Sequence, residues 1–212
     1  PGCRRTFPAK QIYQHAPGCV RVSGANASTK HNAIVLAVLN DAKSAGLTTT
    51  REPREFASYQ CRGCHRLFPP DLVTEHAAKC APHTKPRHSG PDGRVIFADE
   101  DDSVVFDVTV IHSTAPSHAR TERAQLLKDK VQAKTKLYEG MVSASSERFL
   151  VLAIYSHGAI PIESRAFLQR IADMKEVPRA DVEAAVTNAL QRGNGANADR
   201  VHRYNLIARR RG

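Results

Sequence analysis

PDGRVIFADEDDSVVFDVTVI, residues 91–111, is the stretch on which the fold turns. Folded as an antiparallel hairpin about the Asp99–Glu100 bond, it gives strands over about 93–98 and 103–111. The acidic turn Asp99–Asp102 joins them and discourages pairing at an edge. In the second strand Val104, Phe106, Val108 and Val110 share one face, and Val105, Asp107, Thr109 and Ile111 the other. Asp92 and Asp107 are symmetric about the turn, so two carboxylates meet at one end of the sheet. Like charges that close are costly unless a cation lies between them.

Downstream, the spacing predicts a helix over about 117–139. At 100° per residue, Leu127, Val131, Lys134 and Tyr138 fall in one sector, the face that packs on the sheet. Lys130 borders that face and Lys136 points away. The apolar run Phe149–Tyr155 reads as a buried strand reached by a helical crossover, hence parallel to its neighbour. Helices over about 163–174 and 179–192 follow, then a Gly/Asn linker at Asn194–Asn197 and a short basic helix or arm from Arg200 to Arg211. Upstream, a helix over about 28–45 is capped by Ser28 or Thr29 and ended by Gly46. A threonine-rich strand, Leu47–Glu52, stops at Pro53, and residues 81–90 read as a loop. This order is that of an α/β protein with a mixed sheet flanked by helices.

A repeat runs through the amino-terminal half. GCRRTFPAKQIYQHAPGC (residues 2–19) and GCHRLFPPDLVTEHAAKC (residues 63–80) align in register. The second is complete as Cys61-x2-Cys64-x11-His76-x3-Cys80. The x2 step turns two thiolates toward one ion, and the x3 step sets His76 and Cys80 one helical turn apart, which closes a tetrahedral zinc site. The first copy keeps Cys3, His15 and Cys19, and its missing ligand would fall one residue before Pro1, so the chain reads as a piece of a longer polypeptide. With no open position, both fingers read as structural rather than catalytic.

The 212 residues carry a net charge of +10, which favours a polyanionic partner, nucleic acid first. Five cysteines without a secretory signal point to metal ligation in a reducing compartment. No apolar run approaches a membrane span, and no Gly-rich phosphate loop or nucleophile elbow is present. The organisation expected is a truncated CCHC finger at 1–27, the first helix and strand at 28–60, an inserted CCHC finger at 61–80, a core at 81–192 and a basic arm at 193–212.

Taken together, several features resemble the restriction-like endonuclease domain of site-specific non-LTR retrotransposons, a PD-(D/E)XK nuclease with a displaced lysine. They are His31-Asn32, Gly46 before Glu52-Pro53, the inserted finger, Pro91-Asp92 with fourteen residues between it and Asp107, DVTVIHSTAPS, the Lys/Tyr helix and the strand ending SHG. The resemblance covers about 28–175, and the two fingers with a basic tail are similar to the spliced-leader-targeting elements of trypanosomatids. It implies a restriction-endonuclease-like fold with Asp92 and Asp107 as ligands of catalytic Mg²⁺ or Mn²⁺. The site's lysine and tyrosine would come from the following helix, as Lys134 and Tyr138, because Thr109 stands where such nucleases often carry lysine. In the family the last lysine often directly precedes tyrosine, whereas here Leu137 intervenes, which leaves Lys130, Lys134 and Lys136 open. Glu52 corresponds to a Glu-Pro feature and is a further candidate carboxylate. The implied function is nicking of a DNA target in the nucleus to prime reverse transcription. The chain would belong to a polyprotein with a reverse transcriptase and act with the element RNA. The alternative is a zinc-finger nucleic-acid-binding module on a catalytically inactive nuclease fold.

Overall fold

The computed structural model describes residues 23–56, 58–61, 64, 67–68, 75–76, 79–80, 87–97, 102–112, 122–143, 145 and 147–209. Cys3, His15 and Cys19 lie outside them, as does most of the acidic turn. In chain order the elements are α1 (Ser23–Ser44), β1 (Thr48–Arg51), β2 (Ser58–Gln60), β3 (Leu67–Phe68), β4 (Arg87–Ser89), β5 (Gly93–Ile96), β6 (Ser103–Ile111), α2 (Arg123–Ser143), β7 (Arg148–Tyr155), α3 (Ile162–Lys175) and α4 (Arg179–Arg209). A single 3-10 turn, Arg54–Phe56, separates β1 from β2.

The main sheet is mixed, with order β1-β5-β6-β7 and flanking helices. β5 pairs with β6 antiparallel, Gly93 opposite Phe106 and Ile96 opposite Ser103, which is the register expected from the hairpin. β1 pairs with β5 antiparallel, Arg51 opposite Gly93. The Ser156 amide, just past β7, donates to the carbonyl of Ile111 at the end of β6, so these two strands end together and run parallel. A second sheet has the order β3-β2-β4. Its β4 lies within residues 81–90, where the Pro/His/Lys composition suggested only loop. Pairing with Ser58–Gln60 supplies the hydrogen bonds that hold it extended.

The chain divides into two compact units of non-contiguous segments. In the first (1–46, 108–132, 151–212), α1, α3 and α4 pack together. Ile34, Val35, Val38 and Ala42 of α1, Leu168 and Ile171 of α3, and Val182, Val186 and Leu190 of α4 are buried there. α1 starts at Ser23, ahead of the expected cap at Ser28 or Thr29. Gly46, at φ 79°, ends it as expected.

The expected linker at Asn194–Asn197 is a correction: α4 runs unbroken to Arg209. Gly193 is a packing residue rather than a break, since a Cβ there would lie 2.8 Å from Cγ and 3.1 Å from Cα of Lys30. Asn194 adds a bond from its side-chain amide to the Ser156 carbonyl, 3.1 Å.

In the second unit (47–107, 133–150), Val105 clusters with Phe56, Val142 and Phe149. Val142 meets Val105 while Lys134, eight residues earlier, meets Asp107, so α2 runs opposite to β6 over the odd-numbered face. Arg94 of β5 bridges Glu55 and the buried Glu147, closing this face with an ion cluster that nothing in the sequence spacing signalled.

Candidate metal centre and candidate active site

Cys61 directly follows β2, and His76 and Cys80 have helical backbone. The four donor atoms of Cys61, Cys64, His76 and Cys80 all lie within 4.8 Å of one another. Cys64 Sγ and His76 Nε2 are 3.3 Å apart. Tetrahedral Zn²⁺ with bonds of about 2.0–2.3 Å separates its ligand atoms by roughly 3.3–3.8 Å, so the group could hold a zinc ion with little movement. Three thiols and one imidazole also match zinc in chemical softness. Hydrogen bonding of the Cys80 S–H toward Cys61 and then Cys64 holds its proton and pushes the thiol up to about 11. A dication among the thiols reverses that effect, because it stabilises each thiolate.

The second cluster sits on β5, β6 and α2. Asp107, on a central strand, is buried, its side chain only 3 % exposed. Lys134 Nζ lies 3.0 Å from Asp107 Oδ2 and donates to Oδ1 at 3.2 Å. Burial alone would lower the pKa of Lys134, but Asp107, then Tyr138 and Asp92, outweigh it and raise the pKa, so the ammonium stays charged at neutral pH. Tyr138 is buried one helical turn further on, its ring centroid 5.6 Å from Nζ and 5.6 Å from the Phe149 ring. The ring faces the ammonium, a cation–π contact beside the ion pair with Asp107. Lys136 is exposed, as the helical phase predicts. Lys130 is exposed as well, so it belongs to the outer surface rather than the edge of the packed face.

Asp92 departs from strict opposition to Asp107. The β5–β6 ladder ends at Gly93 opposite Phe106, and the Asp92 amide donates to the Phe106 carbonyl at 2.9 Å instead of continuing the register. Its own carbonyl accepts from the Glu52 amide at 3.0 Å, so both backbone groups of Asp92 are fixed. Glu52 has φ 48°, a left-handed conformation unusual for a non-glycine residue, and its exposed carboxylate reaches Arg51 at 3.5 Å. The backbone of Glu52, not its charge, is what meets Asp92. Pro53 and Pro91, on either side of this junction, are both buried.

Neither protein-family models nor curated proteins give a match to this chain. What fold and site define is therefore a mixed α/β protein with a Cys/His group suited to zinc and, apart from it, a buried carboxylate–lysine pair midway along the interior strand β6.

Proposed function

We propose that the chain is a divalent-metal-dependent DNA endonuclease of the restriction-like type. In this reading it comes from a site-specific non-LTR retrotransposon and nicks its target in the nucleus to prime reverse transcription, with the element RNA and the polyprotein's reverse transcriptase as partners. The observation that carries the reading is Asp107, buried in a central strand and held by Lys134 of the crossing helix, with the backbone of Asp92 fixed beside the same strand. A buried carboxylate paired with a charged lysine midway along an interior strand is costly to desolvate, and an apolar pair there is often at least as stable, so the pair is better explained by a role in chemistry.

Two carboxylates suit Mg²⁺ or Mn²⁺, which are bound by one or two such groups and otherwise by water and phosphate. Asp92 and Asp107 would hold the ion, which when bound polarises the scissile phosphate and lowers the pKa of a water. Lys134 presents a fixed positive charge, aimed by Asp107 and the Tyr138 ring, for the negative charge that develops on the phosphoryl oxygens. Tyr138 positions that lysine through its ring. The zinc finger and the basic surface supply phosphate affinity, which does not itself read sequence.

The test is nicking of supercoiled plasmid with and without Mg²⁺ by the full chain and by Asp107→Ala. Mg²⁺-dependent nicking by the parent, abolished in the variant with DNA affinity retained, is the expected result. Salt-sensitive DNA binding without nicking in either protein would establish the alternative, a zinc-finger binding module on an inactive nuclease fold.

A further inference from the structure

The finger and the acidic sheet end belong to one continuous hairpin. β1 pairs with β5 from Thr48–Ile96 down to Arg51–Gly93, and the Glu52–Asp92 backbone bond extends this ladder by one pair. Beyond it, the same two chain segments pair again as β2 with β4, from Ser58–Ser89 to Gln60–Arg87. Cys61, the first zinc-type donor, directly follows Gln60. Asp92 is thus the seam residue, three positions from the last pair of the finger ladder at Ser89.

The seam is stiff. On one side the extra residues form the turn Arg54–Phe56, whose Phe56 is buried against Val105, Val142 and Phe149. On the other side only Gly90 and the buried Pro91 intervene. A hairpin whose far end is clamped cannot fray toward the seam, whereas the two- and three-residue strands of the second sheet are too short to hold themselves.

We propose that the Cys61/Cys64/His76/Cys80 zinc centre positions Asp92, so that occupancy of the finger sets the affinity of the acidic sheet end for its own divalent cation. This rests on the reading of Asp92 and Asp107 as ligands of one ion. Zinc pins the β2–β4 ladder, the ladder pins Gly90 and Pro91, and these hold the Asp92 backbone between Glu52 and Phe106. Loss of zinc therefore loosens one of the two carboxylates while Asp107, anchored in β6, stays in place. The finger is then a zinc-dependent support for the second metal site as well as a nucleic-acid contact.

Cys80→Ser in the full chain tests this, with zinc content measured by elemental analysis, Mn²⁺ affinity by paramagnetic resonance titration and amide exchange by mass spectrometry. Loss of zinc should weaken Mn²⁺ binding by roughly 10–100-fold, the range for removing support behind a ligand. It should also speed exchange at Asp92 and Gly93 while Leu168 and Leu190 in the helical unit keep their protection. Cys80→His, which retains a four-donor set, should restore both. Mn²⁺ affinity and Asp92 exchange unchanged in a zinc-free Cys80→Ser chain would overturn the proposal, as would failure of a zinc-loaded Cys80→His chain to restore them. If the parent binds no Mn²⁺ at all, the nuclease reading falls, and exchange at Asp92 still decides whether the finger supports the seam.

Discussion

At the residue scale the lysine on α2 is the informative case. Helical phase alone separates Lys134 from Lys136, and the structure places the first against Asp107 and the second in solvent. Lys134→Ala should lower the single-turnover nicking rate by roughly 10²-fold or more, as for loss of one charge-stabilising donor. Lys136→Ala and Lys130→Ala, both on the exposed surface, should change only the salt dependence of DNA affinity. An inactive Lys136→Ala beside an active Lys134→Ala, both folded, would refute the assignment.

Lys30 is a lysine that the sequence did not single out. It is 2 % exposed on α1, and burial lowers its pKa to about 8. Between about pH 8 and 10.5 the unfolded chain then binds more protons than the folded one, so stability rises with pH across that window and the cost of the charged form is full below it. Lys30→Met keeps the stem and removes the charge. It should raise the melting temperature at pH 7 by about 2–4 °C for each kcal/mol of relieved cost, and flatten the rise above pH 8. A melting temperature unchanged or lowered at pH 7 would show that the ammonium is not under strain.

At the scale of the element, α4 shows how a glycine can mislead. Read along the chain, NGAN marks a break; in the fold, the helix passes through it because α1 approaches closely at Gly193. The two glycines of this stretch should respond oppositely to alanine. A Cβ at Gly195 meets nothing within 4 Å, so Gly195→Ala should stabilise by up to about 1 kcal/mol through helix propensity. Gly193→Ala would press on the Lys30 backbone and should destabilise despite the same gain. Urea unfolding of the two variants decides it; equal stabilisation by both would mean that the helices separate at no cost. The β5–β6 hairpin is the opposite case, its register legible because alternation and a central acidic turn leave one pairing that buries its apolar faces.

At the scale of the whole molecule, the two compact units cut across the segments that composition marks out along the chain. Residues 28–60 divide between them, and the finger shares a unit with Asp92, Asp107 and Lys134. The sequence by itself determined the α/β class, the hairpin register, the zinc-ligand spacing and the inward phase of Lys134, because each follows from a short-range period of two or 3.6 residues or from fixed ligand intervals. It did not reveal β4, the continuity of α4, the burial of Lys30, the Arg94–Glu147 pair or the halt of the ladder one residue short of Asp92. Those were decided by tertiary structure alone. A three-residue strand exists only through its partner, a helical glycine is fixed by what packs on it, and a buried charge is set by neighbours remote in sequence.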